Sequence, residues 1–258
     1  MEVHHHTHTA ADPDSHRGRK KWTHYFWEFL MLFLAVFCGF FAEYQLEHKI
    51  EKDREKQYSQ TLYEDLKVDT SILTALISES DFVTPKVDSF RLLVHTKAIG
   101  DIPSGTWYYY GRFGTRNMSL ALQNVTLQQL ISSGGLRYFK KQKVVYAIAA
   151  YDQIIRDIKN SLDLQLWTYN EVIKARNQIF DSWFMDEIMD FSVTGSKVDS
   201  FKQKSFPLLS NKREDFLNYA NHCQMRSFNK KAERESLVQA LKGAEKLMAL
   251  LKKEYHLK

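Results

Sequence analysis

One segment constrains this chain more than any other: residues 22–42 read WTHYFWEFLMLFLAVFCGFFA. At 1.5 Å per residue a helix of that length spans about 31 Å, enough to cross the hydrocarbon of a bilayer. The fully apolar part is residues 29–42. Trp22, Tyr25, Phe26 and Trp27 form an interfacial aromatic belt before it, and Tyr44 marks the opposite interface. A buried core helix is the competing reading of a short apolar run, and the aromatic flanks argue against it. A cleaved signal peptide is another: Arg17, Arg19, Lys20 and Lys21 resemble its basic leader. No small-x-small cleavage site follows, because Ala42 is followed at once by Glu43. The expectation is an uncleaved single-pass anchor.

The rest of the chain is not membrane-like. Hydrophobic residues make up 44% and charged residues 26% of 258, which excludes a multi-span protein and a disordered chain. Four prolines and ten glycines argue against turn-rich all-β classes. Two cysteines build neither a disulfide scaffold nor a Cys-rich zinc site.

Charge is unevenly placed. Residues 43–81 hold ten acids and five bases, and residues 197–258 hold seven acids and fourteen bases. The bases of the C-terminal part are interleaved with acids at helical spacing, the pattern of a solvated helix face. Nucleic acid is therefore not an expected partner. The four bases before the span sit close to it. The four beyond it (Lys49, Lys52, Arg54 and Lys56) are mixed with acids. On that ground the N-terminus is expected in the cytoplasm and the bulk of the chain outside it, in the periplasm of a bacterium.

After the span the periodicity is helical. Tyr58, Leu62, Leu66, Leu73 and Leu76 recur at three- and four-residue steps, with Asp69 interrupting them, and predict a helical stalk over 43–80. A separate helix is predicted over 88–97, with Pro85 near its start and Gly100 after its end. Residues 98–125 collect four glycines, Pro103 and the run Trp107-Tyr108-Tyr109-Tyr110-Gly111-Arg112-Phe113, which predicts a small irregular or hairpin insertion near 100–118. Thr126 reads as an N-cap, with Gly134 and Gly135 as the stop. Val145, Ile148, Ile155, Ile158, Leu162, Leu166, Tyr169 and Ile173 mark one helix of over 40 residues, or two with a bend. Ser210 is a candidate cap for the last helix, where Leu237, Leu241, Ala244, Met248, Leu251 and Tyr255 have the spacing of a bundle seam. The fold expected is mainly α: residues 1–21 a His-rich basic N-terminus without fixed structure, 22–42 a transmembrane helix, 43–80 a stalk, and 81–258 a long-helix bundle.

Several of these elements resemble a family of bacterial membrane proteins, widespread in Bacteroidetes, classed as a domain of unknown function. The likeness is carried by Met1-Glu2-Val3-His4-His5-His6, by the span from Trp27-Glu28-Phe29-Leu30-Met31 through Gly39-Phe40-Phe41-Ala42-Glu43, by Glu64-Asp65-Leu66 and Asp69, and by Thr126-Leu127-Gln128-Gln129-Leu130-Ile131-Ser132-Ser133-Gly134 with Leu136 and Tyr151. It covers roughly the first 160 residues and does not include the aromatic run. It implies a single-pass inner-membrane protein and supplies no activity, cofactor or catalytic residue.

Four groups of residues carry candidate chemistry. His24 and Glu28 share a helix face at the start of the span. Such a pair serves a partner helix or a proton path, or else its carboxylate snorkels to water. His4, His5, His6 and His8 are a weak metal-binding candidate, with no cysteine or placed carboxylate to close the site. Trp107, Tyr108, Tyr109, Tyr110 and Arg112 form either a stacking platform for a ligand or rings that cap the end of a helical core; the second is expected. Asp181, Asp186, Glu187 and Asp190 are read as a solvated face rather than a cation site, with Asp186 and Asp190 on one helix side. Cys223 beside His222 is weak support for a thiol nucleophile, since adjacent helical residues point apart.

No phosphate loop, dinucleotide fingerprint, HExxH, CxxC or nucleophile elbow is present. The expected function is accordingly a membrane-anchored helical interaction or scaffold protein of the bacterial envelope. It is not an enzyme, needs no cofactor, and its partners are the lipid bilayer and, through helix faces, itself or another envelope protein. The alternative is a sensory bundle that binds a small ligand and signals through a partner, since about 21 residues precede the span.

Overall fold

The computed structural model describes residues 22–117, 119–188, 190 and 194–257; the candidate ligands His4, His5, His6 and His8 lie outside them. Seven α-helices are present among the described residues, and no strand. They are α1 (Trp22–Thr96), α2 (Ser104–Gly111), α3 (Val125–Ser132), α4 (Gln142–Leu164), α5 (Leu166–Ile179), α6 (Ser196–Gln203) and α7 (Arg213–Tyr255). Short 3-10 turns follow Ala98, Gly111, Gly134 and Asp181. The chain divides into two compact units, Met1–Asp53 and Arg54–Lys258.

In the first unit the start of α1 exposes large apolar side chains on every side. Phe29 is 65% exposed, Leu32 68% and Phe40 67%. Phe29, Phe33, Phe37 and Phe41 stack along one flank with ring centres 6.0–6.3 Å apart. The most apolar window has a mean hydropathy of 1.9 and none of it is buried. A helix apolar all round needs an apolar environment. This one is long enough to cross a membrane, as a single-pass protein requires.

The second unit is built on a seam. From Arg54 onward α1 buries Ser59, Leu62, Leu66, Asp69, Leu73, Ser80, Val83, Val87, Phe90 and Val94, at steps of three and four with one gap at Leu76. Helix α7 buries Phe216, Tyr219, Cys223, Arg226, Lys230, Glu233, Leu237, Ala240, Ala244, Leu247 and Leu251 with the same alternation. This is the repeat that keeps one helix side against a neighbour. The two helices run antiparallel. Glu55 accepts a 2.6 Å hydrogen bond from the Tyr255 hydroxyl, Asp88 one of 2.7 Å from Ser227, and Asp81 holds Arg234. The stalk expected over 43–80 is thus helical, but from Arg54 onward it is a core element of the bundle.

Two other expectations are corrected. No separate helix begins near Pro85, because α1 runs through it. Proline in a helix interior costs about 3 kcal/mol. Val83, Val87 and Phe90 are buried on both sides of it, and that burial outweighs the local penalty. Among the described residues no hairpin forms near 100–118: helix α2 lies there, with a short 3-10 turn on either side. Helix α2 packs on α6 so closely that a Cβ at Gly105 would fall on the Phe201 and Lys204 carbonyl oxygens. The long stripe after Lys140 becomes two helices broken at Gln165, α4 and α5, both packed on α7.

The core has two parts. An aliphatic cluster joins Leu62, Leu66 and Leu73 of α1 to α3, α4 and residues 237–251 of α7. An aromatic cluster joins Val83–Val94 of α1 to α2, α5, α6 and residues 216–223 of α7, with Phe90, Trp107, Phe180, Phe216 and Tyr219 at its centre.

Carboxylates of α1 fix the chain between these helices. Asp69, 2% exposed, accepts hydrogen bonds from the Gln123 N–H at 2.7 Å and the Tyr151 hydroxyl at 2.9 Å. Asp65, one turn earlier, accepts from the Thr126 N–H at 3.1 Å and so caps α3 from another helix. Thr126, read as the cap, is instead inside α3, whose N-cap position is Asn124. Burial pushes the Asp69 carboxyl up, and the two donors hold it back. Asp69→Ala should cost about 2–4 kcal/mol by leaving both donors unpaired in the core, and Asp65→Ala about 1 kcal/mol. Chemical denaturation of the full chain in detergent measures both, and equal small losses would refute this account.

Candidate functional site: a buried charged layer

The two core clusters are separated by polar residues. Arg226, Ser227, Lys230 and Glu233 lie on the buried side of α7, between Cys223 of the aromatic cluster and Leu237 of the aliphatic one. Ser80 faces them from α1, with its hydroxyl 3.4 Å from the Lys230 carbonyl oxygen. Glu79 of α1 holds Arg116 at 2.6 Å. Tyr169 of α5 places its ring 5.3 Å from the Arg226 guanidinium carbon.

These charges are deeply buried and incompletely paired. Lys230 is 1% exposed and Arg226 2%. Arg226 donates from one terminal nitrogen to the Arg116 carbonyl at 3.2 Å and to Asn117 Oδ1 at 3.5 Å. Among the described residues Lys230 Nζ, Arg226 Nε, Glu233 Oε2 and Gln165 Oε1 have no hydrogen-bond partner. Burial pushes the Lys230 amine down to about 8, opposed by the Glu233 carboxylate, while Arg226 pushes it further down. Glu79 and Arg116 neutralise one another. The sealed part of the layer therefore carries two cations against one anion.

A neutral lysine is a nucleophile, but at 1% exposure Lys230 meets no substrate from solution. The layer can set register, because a slip of the seam by one heptad would set these charges among leucines. It can also hold a small polar ligand.

The residues singled out from sequence lie elsewhere. His24 and Glu28 do meet, with Nε2 3.0 Å from Oε1, and both are about half exposed on the first unit. The aromatic run is not a ligand platform, nor does it merely cap the core. Trp107 and Tyr108 are fully buried and Tyr109 nearly so, at the centre of the aromatic cluster. Their polar atoms are satisfied internally: Trp107 Nε1 donates to the Ile99 carbonyl at 3.1 Å, and the Tyr108 hydroxyl to that of Pro207 at 2.6 Å. Arg112 is 4% exposed against the Tyr109 and Phe113 rings, and Lys202 covers Tyr109 and Tyr110.

The carboxylates Asp181, Asp186, Glu187 and Asp190 form no metal cluster among the described residues. Asp181 accepts from the Trp183 N–H, and Glu187 pairs with Lys204. The 3-10 turn ends at Ile188, so Asp186 and Asp190 do not share an α-helical side. Cys223 is buried beside Tyr219, and burial pushes its thiol up to about 12, which suppresses the reactive thiolate.

Arg226, Lys230 and Glu233 were missed because the interleaved charges of the C-terminal part read as a solvated face, and Gln165 carries no pattern of its own. The signal was available. Stepping back from Leu237 by alternating four and three reaches Glu233, Lys230, Arg226 and Cys223.

Between about pH 8 and 10.5 the unfolded chain keeps the Lys230 proton and the folded chain has released it, so stability rises with pH through that window. The contribution is on the order of 3 kcal/mol. Lys230→Met should remove this rise and leave the protein equally or more stable at neutral pH, by about 1–3 kcal/mol. Denaturation midpoints of both proteins across the window test it, and an identical pH dependence would refute it.

Comparison of the chain with protein-family models, with curated protein sequences and with solved structures finds no match.

Proposed function

We propose that this chain is a membrane-anchored helical interaction module of the bacterial envelope, with its first helix in the inner membrane and the bundle on the periplasmic side. The anchor is supported by the apolar helix exposed on every side. The interleaving of bases with acids after the span, against the unmixed basic run before it, supports the orientation.

The observation that carries the interaction reading is at the break between α4 and α5. There Leu164, Leu166 and Trp167 are 83%, 54% and 73% exposed on one short turn of the bundle. Scattered exposed apolar residues are ordinary on soluble domains. Three within four positions, one a tryptophan, form a local apolar protrusion of the kind that anchors interfaces. Gln165 stands between them as the shared cap of both helices. The bundle presents this knuckle to itself or to another envelope protein.

Cross-linking in native membranes, followed by purification in mild detergent, should recover the chain in a stoichiometric complex. Trp167→Ser combined with Leu164→Ser should lower the yield of that complex at least fivefold, on the order expected for loss of an interface anchor, with the melting temperature unchanged. A chain recovered only as a monomer, or a complex indifferent to both changes, would overturn the reading. For orientation, a cysteine introduced by Lys253→Cys should react in intact cells with a thiol reagent that reaches only the periplasm. Labelling only after the inner membrane is broken would reverse the topology.

A further inference from the structure

Beside the charged layer is a cavity of about 70 Å³, lined by Asn117, Leu162, Gln165, Tyr169 and Arg226, with Leu166 and Asp163 completing the wall. That volume admits more than one water-sized group. Its wall carries apolar groups, donors and acceptors. Leu162, Leu166 and the Tyr169 ring are apolar contributions, and Tyr169 spends its hydroxyl on the Thr115 carbonyl at 3.0 Å. Arg226, 2% exposed, has an Nε hydrogen without an acceptor among the described residues. The oxygen of the Asn117 side chain already faces an Arg226 nitrogen, which leaves its amide nitrogen as a second donor.

Arg226 and Lys230 share one buried counter-charge, Glu233, and that surplus of positive charge beside a low-dielectric wall calls for an anion, or for enough water to solvate it. The cavity is too small for a hydrated phosphate or a nucleotide. Asp163 in the same wall is exposed to solvent; its charge opposes any anion, and a dianion about twice as strongly as a monoanion. We propose that this cavity binds a small monovalent anion, a halide or a one-carbon carboxylate, held by Arg226 Nε and the Asn117 amide. A water accompanying the anion donates to Gln165 Oε1, the remaining unpartnered acceptor in the wall. Bound there, the anion balances the second cation of the layer and braces α5 against α7. This site shares Gln165 and Leu166 with the knuckle, but the groups that would hold the anion, on Arg226 and Asn117, lie outside it.

The test uses the full chain in detergent at neutral pH and fixed ionic strength. Sodium chloride, bromide or formate is exchanged against sodium gluconate, whose anion does not fit the cavity. The expected result is a saturable rise in melting temperature with chloride, bromide or formate and none with gluconate. Formate without the halides would make the ligand a carboxylate, and the halides without formate would make it a halide. Arg226→Met should abolish the effect. Because that change is in the core and the variant could fail to fold, Asn117→Leu serves as the second variant. Asn117 is exposed, and its loss should weaken the apparent affinity by about tenfold. Equal behaviour of all four anions, or undiminished affinity in Asn117→Leu, would overturn the proposal and leave the cavity to water alone.

Discussion

The antiparallel seam between α1 and α7 is the constraint on which the rest of the second unit depends. Every other helix of the bundle is short beside α7, which spans 43 residues. Helices α4 and α5 both pack on α7 rather than forming an independent core. Two long helices packed through a three-four repeat have a known ambiguity: a shift by seven residues restores most apolar contacts. Polar pairs along the seam, some buried and some at its edge, remove it. Asp88 with Ser227 and Lys231, Ser80 with the Lys230 carbonyl, and Glu55 with Tyr255 all lie on the two helices and agree only in one register. Stability is given up at these positions, since apolar residues of similar volume would hold the helices at least as well.

A second consequence concerns the segments that are not helical. Residues 119–124 and 139–141 have little regular backbone bonding of their own. Side chains of α1 supply it. Asp69 and Asp65 receive the N–H groups of Gln123 and Thr126, and Glu55 receives that of Lys140. The spacing of these carboxylates along one helix therefore fixes where α3 and α4 begin. A buried donor without an acceptor costs about 1–3 kcal/mol, so an acidic residue inside an otherwise apolar seam is tolerated where it accepts from two buried donors, here one N–H and one hydroxyl. Asp69 does so, and this is why it interrupts the leucine repeat of α1.

Much of the architecture was legible in the residues. The apolar span, the helical character throughout and the final seam through Leu237, Ala244 and Leu251 follow from periodicity and the scarcity of proline and glycine, whereas the break at Gln165 was only one of two alternatives. Pro85 and the glycines near 100–118 misled because local breaker rules weigh backbone preference alone. Burial of Val83, Val87 and Phe90 overrides the first, and close approach of α2 to α6 at Gly105 explains part of the second. The charged layer was illegible for a different reason. Arg226, Lys230 and Glu233 look like a solvated face when only their type is read, and only the position of each within the three-four repeat reveals that it points inward. The cavity beside Arg226 was beyond sequence altogether, because it is formed by residues 117, 162–169 and 226, far apart in the chain.

The two clusters differ in what holds them. The aromatic cluster interlocks Phe90 with Trp107, Phe180, Phe216 and Tyr219 through rings 5.0–6.5 Å apart, most of them edge to face. The aliphatic cluster is leucine, isoleucine and alanine on long helices, pinned at its edge by Asp69 and Tyr151. Between them the helical path breaks at Gln165, and the core changes from apolar contacts to incompletely paired charges. Cooperative units in a protein part where buried apolar contacts are fewest. The charged layer is where the two apolar clusters of this bundle part. Whatever neutralises the surplus cation in the layer then acts on the coupling between them. A ligand bound beside Arg226, where α5 meets α7, is placed to tighten that coupling without altering either cluster.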